Sequence, residues 1–415
     1  MIENILPSMD AGSFDPFSAN FLADPYPIMN RAREGAPIFY AADLDHWAVG
    51  RHADVRHILK TAVSFSAVNA LEPLTKLCPQ AVNALKDGGY GAIPALTNLD
   101  PPGHARQRRL ANVVFTPRRI AALEPFIRRT VQRIFDERFH DGRADIIDDL
   151  AWALPALVLF EVLGLPESDL VRVKEGARHR GVVIYGQPSK DEQIAAARQL
   201  ASFWQYAAGL VEARTKSPRD DFISALLLAR DVDGSNDALT HQEVTTIAVQ
   251  MLFAGHETTT NLLGNSFRCL LTHRSTWEAI CREPELIPNA VEEVLRFDSS
   301  VIAWRHKTKQ AIEIGQMPVP ADAKLLLLLG AANRDPAVFD DPDHFNIRRP
   351  NAREHLSFGH GLHNCLGAPL ARLESRVVLE EISQRLPNLR LAADTKLDFP
   401  ASISMRGPRS LAVRW

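Results

Sequence analysis

Apolar positions along the chain fall into two regimes. From about residue 104 to 298 they recur at helical spacing, as Leu150, Leu154, Leu157, Val158 and Val162 show. The stretch from Thr245 to Leu271 is apolar around most of its circumference, which predicts a long helix through the middle of the molecule. Strand signals lie on either side. Pro37-Ile38-Phe39-Tyr40 and Trp47-Ala48-Val49 read as two short strands with a turn between them and Gly50 closing the second. Upstream, Asp24-Pro25-Tyr26-Pro27 opens a helical stretch that Gly35 can end. Residues 299–332 return to strand character, with Val301-Ile302 and the run Leu325–Leu329, which suits a strand buried on both faces. The expected class is mainly α with a smaller β-rich lobe (α+β), as one domain over 1–415. The β-rich lobe comes from the chain ends and about 299–332, the helical lobe from about 100–298 and 336–385.

Composition narrows the function classes. The 415 residues are 46% hydrophobic and 23% charged, an ordinary globular mix. Forty-seven basic and 50 acidic residues leave a net charge of −3, so no global basic field attracts nucleic acid. Cys78, Cys269, Cys281 and Cys365 are widely spaced and form no C-x-x-C pair, which speaks against a disulfide framework or zinc ribbon and for a reducing cytosol. Met1–Pro7 lacks the basic start and apolar run of a signal peptide. The leucine run is far shorter than the roughly 18 residues that span a bilayer. A soluble, cytoplasmic monomer without a membrane anchor is expected.

The segment Ser357-Phe358-Gly359-His360-Gly361-Leu362-His363-Asn364-Cys365-Leu366-Gly367-Ala368 carries the clearest chemistry. Its glycines let the backbone turn sharply and approach a flat ligand closely. Cys365 stands just before an amphipathic helix, roughly Ala368 to Gln384, whose unpaired N–H groups favour a thiolate. A zinc cluster of His355, His360, His363 and Cys365 is the rival reading, and the glycine spacing without C-x-x-C speaks against it.

Phe358, Gly359, Gly361, His363, Cys365 and Gly367 together form F-G-x-G-x-H-x-C-x-G, which closely resembles the haem-binding loop of the cytochrome P-450 monooxygenases. That family is a standard case of thiolate-ligated haem. The resemblance makes Cys365 the axial ligand of the haem iron, with Phe358 and Gly359 in the cofactor-binding loop. It implies a haem between the central long helix and the cysteine helix. Glu293 and Arg296 match the family's E-x-x-R pair, a structural clamp, and Asn333-Arg334-Asp335-Pro336 with Phe339, Pro342, Phe345 and Arg348 resembles the segment leading to the loop.

The central helix carries Ala254-Gly255-His256-Glu257-Thr258-Thr259, similar to the family's A-G-x-[DE]-T signature. Gly255 in a helix interior costs about 1 kcal/mol relative to Ala, and its small size would let a flat cofactor approach the backbone. The resemblance gives Glu257 and Thr258 the catalytic roles of proton-relay acid and hydrogen-bonding alcohol. Asp100-Pro101-Pro102-Gly103-His104-Ala105-Arg106-Gln107-Arg108 matches D-P-P-x-H-x-x-x-R. It assigns His104 and Arg108, together with Arg305 and His363, to the haem propionates, where charge-assisted pairs are strong.

What the resemblance implies is haem b (iron protoporphyrin IX) and reductive activation of dioxygen to hydroxylate or O-dealkylate a small to medium hydrophobic substrate. Pocket positions expected by analogy are Leu252, Phe253, Ala254, Val301, Ile302, Ile403 and Ser404, with a variable segment at about 65–96 and a lid around 182–187. They are mostly apolar and uncharged. Roughly fifty residues follow Cys365, fewer than a flavin domain needs, and no nucleotide-binding glycine fingerprint follows a strand. Electrons from NAD(P)H are therefore expected indirectly, through a ferredoxin reductase and a ferredoxin. Arg106, Arg108, Arg109, Arg118, Arg119, Arg372 and Arg376 suggest a basic docking face for an acidic ferredoxin. A peroxide-driven peroxygenase and a non-catalytic haem sensor or binding protein are the alternative functions.

Overall fold

The two N-terminal strands assemble with the leucine run into a five-stranded sheet. Ile38–Ala41 pairs antiparallel with His46–Val49, Ile38 opposite Val49, across a turn that places Asp45 at a φ of 54°. His46–Val49 runs parallel to Lys324–Leu327, Trp47 opposite Leu325, and Lys324–Leu327 in turn pairs antiparallel with Trp304–Thr308. Phe65–Ser66 closes the far edge. The leucine strand thus lies in the middle of the sheet, with Leu325, Leu326 and Leu327 fully buried. The structure differs from the sequence expectation at its end. After Leu327 the chain leaves the strand, and Leu329–Ala332 forms a short helix. A side chain at Gly330 would meet Met29 Sδ at 2.9 Å, so the chain bends here against the helix Tyr26–Gly35.

The computed structural model describes residues 14–230 and 238–415, and the signal-peptide reading of Met1–Pro7 lies outside them. Two compact units are distinguishable. The first comprises Met1–Ala70, Val131–Ala151 and Asn261–Trp415. It holds the sheet together with a small three-stranded sheet in which Ala412–Arg414 lies between Arg143–Asp145 and Arg390–Leu391. The helices Ile287–Phe297 and Ala368–Arg385 also belong to it.

The second unit, Leu71–Thr130 and Trp152–Thr260, is helical among its described residues. Its helices include Pro79–Asp87, Gly103–Val114, Leu154–Leu163, Leu170–Tyr185 and Lys190–Lys216. Leu154–Leu163 begins later than the apolar spacing suggests, because Ile147–Ala151 forms a separate, wider turn, and Pro155 is favourable in a first turn. Lys190–Lys216 starts at a capping box in which Ser189 and Glu192 satisfy each other's backbone N–H groups. The central helix, His241–Thr272, is 32 residues long; its residues through Thr260 lie in the second unit and the rest in the first.

Candidate active site

In the first unit the cysteine loop is built on backbone geometry that only glycine adopts readily. Gly359 and Gly361 both have a φ of 69°. A Cβ at Gly361 would stand 2.8 Å from the Leu59 carbonyl oxygen, so the loop is seated directly on the backbone at the end of the helix His52–Lys60. The Cys365 amide donates to the Phe358 carbonyl at 2.9 Å, and the helix Ala368–Arg385 begins three residues later. Cys365 itself is exposed, whereas Cys78 and Cys269 are buried. Cysteine is ordinarily among the most buried residue types, so its exposure at a helix start sets Cys365 apart.

The clamp expected from Glu293 and Arg296 is present and larger than the sequence suggested. Both side chains are fully buried, and they pair through two bonds, Nε to Oε2 at 2.7 Å and Nη2 to Oε1 at 2.8 Å. Arg349 joins them, its Nε 3.3 and 3.2 Å from the two Glu293 oxygens. Its neighbour Arg348, in the segment leading to the loop, pairs with Glu283 on the surface. Arg296 also donates to the Asn333 carbonyl at 3.0 Å. The Asn333 side chain accepts from the Leu356 amide and donates to Ser357 Oγ, just before the cysteine loop. The clamp therefore positions the loop through Asn333.

Glu292, next to the clamp and missed in the sequence reading, ties in the cysteine helix. It accepts from Arg372 Nε at 2.7 Å and Nη2 at 2.9 Å and lies 3.1 Å from His355 Nε2. Burial pushes its carboxyl up, but the bonds to His355 and Arg372 outweigh this and hold it at about 2. Arg372 also covers the Phe358 ring at 4.6 Å. Arg372, expected on a docking face, is thus also tied into the loop scaffold. His355 is buried in the same network, and no three His, Cys, Asp or Glu side chains among the described residues could hold a metal ion, which argues against the zinc reading.

In the second unit the central helix exposes Ala254 in the middle of an otherwise largely buried stretch. Gly255 does not serve as expected. A Cβ there would meet Leu159 at 3.1 Å, so its small size admits a neighbouring leucine. Thr258 donates its hydroxyl proton to the Ala254 carbonyl at 2.9 Å, leaving its oxygen as an acceptor. Burial raises the Glu257 carboxyl above its ordinary value, while Lys174 and Arg178 of the helix Leu170–Tyr185 oppose the shift. Burial likewise brings the Lys174 ammonium down to about 8, with Glu257 opposing. Lys174 Nζ lies 5.0 Å from the Trp152 ring centre. His256 is fully buried, and burial and Lys174 keep it neutral at pH 7. A poised acid beside an alcohol is an arrangement that can hold and pass a proton.

The expected propionate partners are distributed over both units. His104 is fully buried and Arg108 half-buried, one turn apart on the helix Gly103–Val114. Arg305 is buried, its Nη2 donating to the Ala70 carbonyl at 3.1 Å, and His363 is half-buried in the cysteine loop. Of the pocket positions, Leu252 and Phe253 are buried beside exposed Ala254. In the first unit Val301 bridges to Met405, and the Ile302 amide donates to the Ser404 carbonyl at 2.8 Å, joining the 301–302 and 403–404 segments. Ile302, Ile403 and Ser404 are buried. An open cleft of about 800 Å³ in the second unit is lined by Leu77, Cys78, Pro79, Val82, Pro188 and Gln193, among others. Gln193 spans it, accepting from the Cys78 amide and donating to the Pro188 carbonyl.

In the first unit the exposed thiol on a glycine-turned loop, with the cationic side chains Arg305 and His363, fits a haem, which needs an axial sulfur and cations for its carboxylates. Within that unit Cys365 would hold the iron, and Arg305 and His363 would meet propionates. The sequence model of the family described as Cytochrome P450 matches residues 195–400. The biotin biosynthesis cytochrome P450 of Bacillus subtilis (strain 168) is 34% identical over 90% of this chain and 92% of its own. The mycinamicin IV hydroxylase/epoxidase of Micromonospora griseorubida is 36% identical over 89% of each chain. Among solved structures, cytochrome P450 CREJ in complex with (4-ethylphenyl) dihydrogen phosphate superposes with a TM-score of 0.94 at 36% identity, covering 98% of this chain and 100% of that one. The chain belongs to the cytochrome P450 family and is a haem monooxygenase.

Proposed function

We propose that this enzyme takes its electrons from a separate ferredoxin and ferredoxin reductase and oxidises a hydrophobic organic molecule. Haem, when bound, supplies the reductive activation of dioxygen, with one oxygen atom passing to the substrate and the other to water. The chain's own residues do the rest. The clamp of Glu293, Arg296 and Arg349 holds the loop that presents the Cys365 sulfur. The Glu257 carboxyl, raised by burial against the opposing pull of Lys174 and Arg178, is the group that takes up and releases protons, and Thr258 hands them on through its hydroxyl. The apolar side chains Leu252 and Phe253 favour substrate over water.

The acid–alcohol pair carries this reading, because a peroxide-driven enzyme needs no proton delivery to reduced dioxygen. Docking of the ferredoxin falls to fewer cations than the sequence offers. Arg106 pairs with Glu243, Arg372 with Glu292, and Arg376 with Glu380, and Arg118 is exposed. The test is Thr258→Ala turned over with ferredoxin, reductase and NAD(P)H. Product per NAD(P)H consumed should fall and hydrogen peroxide should rise. Coupled product formation at the parent rate would refute the relay.

A further inference from the structure

We propose that the substrate carries a carboxylate, and that Arg180 is the residue that binds it. This deepens the proposed oxidation of a hydrophobic molecule and rests on that reading. Arg180 lies on the helix Leu170–Tyr185 and is only 6% exposed. Buried arginines are ordinarily paired with carboxylates. Arg180 has no acidic partner among the described residues. Its Nη1 donates to the neutral Tyr90 hydroxyl at 3.0 Å, and its guanidinium lies 5.7 Å from the Phe253 ring centre. Buried Nε meets no acceptor in the structure.

A buried cation satisfied by one phenol and one ring face is costly unless an anion completes it. With Nη1 engaged by Tyr90, the edge formed by Nε and Nη2 is left as a planar fork of the spacing that receives a carboxylate through two parallel bonds. A single guanidinium matches a single negative charge. A phosphate monoester, close to doubly charged at neutral pH, would bring a second charge for which the site provides no partner.

The surroundings give the ligand a body and a path. Phe253, which the guanidinium covers, also stacks on Tyr185 at 6.3 Å and is followed by exposed Ala254. An apolar body anchored at Arg180 would lie along Phe253 toward Ala254. On the outer side, Leu77 lines the 800 Å³ cleft and packs with Tyr90 against the cluster of Val183, Ala196 and Leu200. The molecule expected is a fatty or alkyl-aryl carboxylate, oxidised at the end remote from its acid group.

The experiment uses the haem-loaded enzyme and follows the ferric spin-state shift on titration. Octanoate, dodecanoate, hexadecanoate and para-butylbenzoate are each compared with their own methyl ester, and para-butylphenyl phosphate is added as a further arm. In the parent enzyme at least one acid should bind about ten- to hundredfold more tightly than its ester, the range of a hydrogen bond to a charged group. Arg180→Gln should abolish that preference while leaving ester affinity within about twofold, and Arg180→Lys should restore part of it. Three results would each overturn the proposal: no acid outbinding its ester, Arg180→Gln weakening acid and ester equally, or the phosphate binding best. The carbon monoxide spectrum of each reduced variant is recorded in parallel. Loss of its red-shifted band would indict the haem–thiolate reading, and an intact band with no acid preference indicts Arg180 alone.

Discussion

Arg348 and Arg349 are neighbours in sequence and opposites in environment, so replacing each with leucine separates buried from exposed electrostatics. Arg348 is 54% exposed and meets Glu283, itself 41% exposed, at 2.6 Å. A pair of that kind contributes about 0–1 kcal/mol. Arg349 is 5% exposed, contacts both oxygens of fully buried Glu293, and donates to the carbonyls of Asp340, Asp341 and His344. Removing one partner from a buried ion pair costs about 3–5 kcal/mol. Glu293 would keep Arg296, which favours the lower end, but three carbonyl acceptors lose a charged donor, which offsets that relief. Unfolding entropy of about 2.1 cal/mol/K per residue, over 415 residues, is roughly 0.9 kcal/mol/K. Arg349→Leu should therefore lower the midpoint of thermal unfolding by about 3–6 °C, and Arg348→Leu by about 1 °C or less. Both are measured on the haem-loaded enzyme by circular dichroism and loss of the Soret band at one fixed heating rate. Haem content on purification should fall for Arg349→Leu alone, because the clamp reaches the cysteine loop through Asn333. Equal shifts for the two variants would refute the assignment of Arg349 to the clamp.

Two further outcomes follow from charge. As pH rises through about 8, Lys174 loses its proton, and the Glu257 carboxyl, already raised by burial, loses the cation that opposed that rise. The coupling of product to NAD(P)H should bend near pH 8 in the parent and lose that bend in Lys174→Met; a bend that persists would clear Lys174 of the role. Glu292 has a folded-state value of about 2, below its ordinary 4.5, so its stabilisation is present above pH 4.5 and lost as pH falls toward 2. Glu292→Gln should be less stable at pH 7 and lose less across that acid range, read from urea midpoints; parallel pH profiles for the two proteins would contradict this.

The residues legible in the sequence are those whose chemistry is written at fixed short spacing. The cysteine loop, Glu293 with Arg296, and Glu257 with Thr258 each announce themselves within a dozen residues. So do the helix that opens at Tyr26 and the two strands ending at Gly50. What stayed hidden depends on partners brought from far along the chain. Arg349 looked no different from Arg348 until the fold buried one and exposed the other. Arg372 read as a surface cation because its partner, Glu292, lies eighty residues earlier. Gly255 was read toward a cofactor because Leu159, which covers it, comes from another helix. Arg180 stands beside Arg178 and His179 in the sequence, and its burial against Tyr90 depends on a segment ninety residues earlier.

Glu292 and Glu293 occupy consecutive positions on one helix yet bind different parts of the chain, the first Arg372 beyond the cysteine and the second Arg349 before it. Segments 287–297 and 333–376 are consequently one hereditary block. Chimaeras assembled from related enzymes should carry that block from a single parent. A crossover placed inside it would mate one parent's carboxylates with the other's guanidinium geometry, and the damage would surface as lost cofactor rather than altered selectivity.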